Sequence, residues 1–234
     1  MIDFMFKIKA VIIICLLLNV VNISYPQNYF SIGSEKAGLA FGNPKDYSGI
    51  KLSLVNFGAT KLNGFNISAL DNTSIINGLS FSILNTYEKV AGVNICLLNL
   101  DEETWGMTFS IYSNSYISNG LSLSLLNFIK SEIKGIQFGI VNRCREKIIG
   151  LQLGMINWDG NRKCHSICTA CNGKLIGVEM GLINTCFKNN GLQIGLLNLS
   201  RDGNGIQLGL INVRKSNRKL LRVLPIINFK CEKK

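Results

Sequence analysis

Gly150-Leu151-Gln152-Leu153-Gly154-Met155-Ile156-Asn157 is the stretch on which the fold turns. With its first glycine counted as position zero, apolar residues stand at one, three and five, and polar or small ones at two and four. Successive side chains of a β-strand leave on opposite sides, so a period of two marks a strand with two chemically distinct faces. The octet returns as GIQFGIVN at 135–142, GVEMGLIN at 177–184, GLQIGLLN at 191–198 and GIQLGLIN at 205–212. With serine for the second glycine it returns at 49–56, 78–85 and 120–127. Looser copies start at Gly64, Gly92 and Gly106, a shortened one at Gly38, and a last one, LRVLPIIN, at Leu221. Successive starts differ by 14 or 15 residues, apart from 11 after Gly38, 16 before Leu221 and 27 between Gly150 and Gly177.

Repeats of this kind are units that cannot bury an apolar face alone and must stack or pair with their neighbours. The five to seven residues between octets are rich in Asn, Ser, Lys, Asp and Gly, a turn chemistry. After residue 28 no helix-period segment exceeds a few residues. The fold expected is therefore all-β, an antiparallel β-meander of about fourteen short repeat strands closed into a barrel-like sheet. Closure is required because a long open sheet leaves sticky edges. The alternative is a parallel β-solenoid in which each unit is one coil and the recurrent asparagine forms a ladder. The meander is favoured because a parallel return needs a longer crossover than the spacer offers. In either case the oily side is expected to be sheltered by joining neighbours.

Residues 164–171 read CHSICTAC, which places Cys164, Cys168 and Cys171 in a C-x3-C-x2-C pattern. Thiolates so spaced resemble the cluster-binding loop of radical S-adenosylmethionine enzymes, and with His165 they are also candidate zinc ligands. Against this, Cys164 falls 14 residues after Gly150, so the three cysteines occupy positions zero, four and seven of a degenerate copy. The chain also lacks the strand–helix alternation of a barrel enzyme. Cys144 and Cys186 share position nine but are expected three strands apart, about 14 Å, too far for a disulfide.

Lys7 and Lys9 precede a short apolar run from Ala10 to Leu18, continued by Val20 and Val21, which reads as a signal peptide or N-terminal anchor over 1–27. Residues 28–234 form a single β-repeat domain. The 234-residue chain is 47% hydrophobic, enough for a sizeable core, and its net charge of +11 suits an acidic partner. A single histidine excludes most His-based catalysis. The cations concentrate at the rear, where Arg214, Lys215, Arg218, Lys219, Arg222 and Lys230 form a candidate patch for an anionic membrane or envelope surface. Nucleic acid is disfavoured, since the patch has no aromatic interleaving and the chain is expected to be exported.

The units GIQFGIVN, GLQLGMIN, GLQIGLLN and GIQLGLIN, with the closing LPIINF, resemble a bacterial family of surface-repeat-containing proteins or lipoproteins, over roughly residues 38–229. The resemblance implies export and a location in the cell envelope, outer membrane or cell surface, with no catalytic residue and no cofactor. The chain departs from that family in its serine-bearing front half, its cysteine-rich segment and its missing lipobox. The function expected is a non-enzymatic envelope scaffold or interaction module. The alternative is an outer-membrane β-barrel binding or passing small amphipathic molecules.

Overall fold

The structure, a computed structural model, describes residues 29–34, 36–159 and 173–231. The 1–27 segment and the candidate metal ligands Cys164, Cys168 and Cys171 lie outside the described residues. The elements run β1 (Tyr29–Gly33), β2 (Ala37–Gly42), β3 (Asp46–Cys144), β4 (Lys147–Asp159), β5 (Lys174–Asn189), β6 (Leu192–Asp202), β7 (Ile206–Arg214), a short 3-10 turn η1 (Lys219–Leu221) and β8 (Val223–Asn228). All eight strands belong to one sheet in sequence order.

The octets are strands, as their alternation requires, but the residues between them are β-structure too, so β3 continues unbroken for 99 residues. Each unit is one coil of a parallel β-solenoid. Gly135, Gln137 and Asn142 pair with Gly150, Gln152 and Asn157, and these with Gly177, Glu179 and Asn184. The same positions continue in register from β5 to β6 and from β6 to β7. This corrects the meander and its barrel. A parallel return does need about a dozen residues, and the whole unit, octet plus spacer, supplies them by carrying the chain once around.

Glycine at position zero makes the tight stacking possible. Gly150 has φ +140°, a conformation that a side chain resists, and a Cβ there would run into the carbonyl oxygen of Gly135 one coil below.

Two copies behave differently from their neighbours. The coil of Gly177 pairs directly with that of Gly150, leaving no layer for a coil starting at Cys164. An ordinary 14-residue coil accounts for all but 13 residues of that 27-residue interval, and removing 160–172 would restore the usual count. The degenerate-copy reading of Cys164 is thereby overturned. The last copy is also no coil, because β8 runs antiparallel on β7 with Asn228 opposite Gln207. At the other end β1 is antiparallel to β2. Reversed strands thus cap both ends of the stack.

The interior is where the expectation of a sheltered oily side fails. Positions two and seven are buried and polar, as at Gln137, Gln152, Gln193, Asn142, Asn157 and Asn198. Position nine also points inward, with Tyr87, Asp101, Ile129, Cys144, Asp159, Cys186 and Arg214 in one column. Among the described residues, buried apolar side chains form two clusters, Ala40, Tyr47, Ala59, Leu62, Ile76, Tyr87 and Val90 near the front, and Ile129, Ile133, Cys144, Ile148, Leu175 and Cys186 in the middle. The residues at one, three and five face outward, and many are exposed, among them Leu54, Phe138, Met155, Leu196 and Leu210.

Candidate functional site

Uncharged amides fill the interior because a carboxamide both donates and accepts, so identical residues stacked at β-sheet spacing satisfy one another. Asn127 Nδ2 donates to Asn142 Oδ1 at 2.9 Å, Asn142 to Asn157 at 3.0 Å, and Asn157 to Asn184 at 2.8 Å. Asn184 continues to Asn198 at 2.8 Å and Asn198 to Asn212 at 2.7 Å. Each amide also donates to a backbone carbonyl of the next coil, such as Asn142 to Leu153 at 2.7 Å. Position four must stay small beside this column, since a Cβ on Gly154 would collide with Asn142. A shorter ladder links Gln152 to Gln137 and Gln207 through Gln193 to Glu179.

The front half replaces the ladder with a knot around the buried Asp71 carboxylate. It accepts hydrogen bonds from Asn56 at 2.6 Å, Thr73 at 2.6 Å, Tyr87 at 3.0 Å and Ser68 at 3.1 Å, and another from Asn66. Lys51 is buried nearby, and desolvation brings its ammonium down to about 8, opposed by the charge of Asp71.

Burial raises the other interior acids. Burial pushes the Asp101 carboxyl up to about 7. Asp159 and Glu179 are both buried, at position nine of one coil and position two of the next. Burial raises both, and the charge of Glu179 raises Asp159 further. The Cys144 thiol is pushed up to about 12 by burial, and that of Cys186 is raised well above its ordinary value. These two thiols are free and lie two coils apart with Asp159 between them, one layer nearer than the sequence suggests. They are inert as thiolates. Among the described residues no three His, Cys, Asp or Glu side chains meet in a group able to hold a metal.

What faces solvent is of two kinds. The first is the outward sheet face. From the coil at Gly49 to the coil at Gly205, every residue at positions one, three and five is apolar, as in Ile50, Leu52 and Leu54 or Ile206, Leu208 and Leu210. Strand β8 prolongs it, setting Ile227 beside Leu208. The alternation is plain in the sequence, and what it hides is which face turns outward.

The second is the C-terminal cap. Lys215, Arg218, Lys219, Arg222 and Lys230 are exposed, while no Asp or Glu occurs from Gly203 to Cys231. Leu220 stands among them 91% exposed, with Val223, Ile226 and Phe229 also exposed nearby in the chain. Ile226 takes φ +66°, unusual for a β-branched residue, where the register on β7 slips. Arg214 does not belong to this patch. It is wholly buried at position nine, where its guanidinium donates to the carbonyls of Gly203 and Gly205. Charge alone places an arginine outside, and only the 14-residue count from the position-nine column places it inside.

Among the described residues no helix is long and apolar enough to cross a membrane. No protein-family model, curated protein or solved structure matches the chain.

Proposed function

We propose that this protein is a non-enzymatic, exported envelope scaffold, a stiff repeat-built rod held at an anionic membrane or envelope surface by its C-terminal cap. The observation that carries the reading is the acid-free cap, in which five exposed cations flank the exposed Leu220 along the chain. Each cation near an anionic surface contributes about 1 kcal/mol, so the five together give about 5 kcal/mol at low salt. The exposed Leu220 adds an apolar group able to enter the headgroup layer. The interior supports a structural role, since its ionisable side chains are buried away from solvent. The resemblance to bacterial surface-repeat proteins points to the same compartment.

Flotation with phosphatidylglycerol-containing and pure phosphatidylcholine vesicles tests the reading. Binding to the anionic vesicles that falls steeply between 50 and 500 mM salt, on the order of a hundredfold, is the result expected. Equal binding to both vesicle types, or none to either, would refute it.

A further inference from the structure

We infer that the outward sheet face is the interface of a homodimer, in which two copies pack their position-one, position-three and position-five columns against each other. This goes beyond the anchoring proposed for the cap and uses none of its residues.

Three observations point to a second copy. The first is extent. The face runs through the coils from Gly49 to Gly205 at about 4.8 Å per coil and spans about five residues across at about 3.3 Å each, a planar footprint of roughly 700–800 Å². Apolar patches on monomers seldom exceed a few hundred Å², and about 800 Å² per partner is what a stable, specific interface covers. The second is charge. No Lys, Arg, Asp or Glu occupies any of the three columns in those coils, although the chain carries +11 overall. The outward cations stand off the face instead, at position ten as Lys130, Arg145, Arg201 and Lys215, at position eleven as Lys89 and Lys188, in the spacers as Lys61 and Lys134, and on the cap. Two faces can therefore meet without burying a like charge. A face built to lie in an anionic lipid surface has its cations along its edge. Here the residue just before the position-zero glycine is Asn or Ser in six of the eleven coils, with Lys134 the one cation in that column.

The third is regularity. In-register coils present Leu, Ile, Val, Phe and Met in straight rows, Leu97, Ile111, Leu125 and Ile140 being consecutive members of one. Two such sheets can interdigitate at about 10 Å, as the inner faces of a β-sandwich do. The same patch on both partners makes the contact isologous, so it closes as a pair.

Analytical ultracentrifugation of the purified protein provides the test. The dimer predicts a species of twice the 25.8 kDa chain mass at micromolar concentration. Leu125→Lys with Ile140→Lys places two cations at the centre of the face, on side chains that are 49% and 45% exposed in the single chain. This variant should keep its circular dichroism and weaken association at least a hundredfold, whereas Glu88→Lys with Glu102→Lys, at position ten, should leave it unchanged. Methionine oxidation in the unmodified protein is an independent readout, since Met155 and Met180 lie on the face. Their oxidation should quicken about tenfold on dilution below the dissociation constant. A monomer at tens of micromolar, a dimer indifferent to the Lys pair, or oxidation that ignores dilution would overturn the inference. Monomer that binds neutral phosphatidylcholine vesicles through Leu125 and Ile140 would assign the face to lipid instead.

Discussion

Replacing Asn157 with alanine removes the middle rung of the amide ladder, and its effect can be worked out from the contacts. Asn157 donates to Asn184 Oδ1 at 2.8 Å and to the Met180 carbonyl at 2.9 Å, and it accepts from Asn142 at 3.0 Å. Three buried hydrogen bonds at about 1 kcal/mol net each amount to about 3 kcal/mol. Asn142 keeps its bond to Leu153, but Asn184 Oδ1 loses its donor inside the stack, adding about 1–2 kcal/mol for an unsatisfied buried acceptor. The expected destabilisation is thus about 4–5 kcal/mol. Chemical denaturation followed by circular dichroism measures it, provided that the denaturant slope is unchanged. A loss below about 1 kcal/mol would mean that the amides are not the satisfied polar core assigned to them here.

Asp101 should make stability depend on pH. Its carboxyl sits at about 7 in the folded protein against 3.8 ordinarily, so the folded state retains a proton that the unfolded chain has released. Stability is then full below pH 4 and falls as pH rises towards 7, by about 4 kcal/mol over the window, and Asp101→Asn should flatten that fall in pH-resolved melts. Gly150→Ala combines a positive φ with a clash against the Gly135 carbonyl and should cost on the order of 3 kcal/mol or more, whereas Gly58→Ala, at φ +76° with open space around it, should cost about 1 kcal/mol. Deleting residues 160–172 joins Asp159 to Gly173 at the ordinary coil length and should leave the denaturation midpoint nearly unchanged. Arg214→Ala should destabilise the fold by about 3 kcal/mol, yet leave vesicle binding by the surviving folded protein as it was, while Lys219→Ala should weaken binding and not folding.

The repeat, its length and its strand character were legible because glycine at zero and the alternation that follows are local constraints. Direction of pairing was not. An octet alternates identically whether its neighbour runs with it or against it, and the Asn- and Ser-rich spacer looks like a turn although Ile133, Ile148 and Leu175 within it point inward. The sidedness was misread for a physical reason as well. Apolar residues are ordinarily interior, but a narrow coil lined by Asn and Gln satisfies its amides up and down the stack and leaves branched side chains outside. The amides at positions two and seven in the rear coils, interrupted only by Glu179, were the available signal, since a solvated face would mix in Lys and Glu throughout. Position nine gave none, because Tyr87, Asp101, Ile129, Cys144 and Arg214 share no hydropathy. Of the candidate patch, the exposed lysines and arginines lie where charge put them, and Arg214 escaped because its place is set by register.

Parallel, in-register coiling is tested most directly by pairing cysteines at one position of adjacent coils, Glu88→Cys with Glu102→Cys, and mapping disulfides by mass spectrometry under mild oxidation. Both sites are exposed at position ten, and the stack brings their Cα atoms to about 4.8 Å, within disulfide range. A bridge between residues 88 and 102 in folded protein is the result predicted. No such bridge, with either cysteine joined instead to a residue at the opposite end of an octet, would contradict the solenoid.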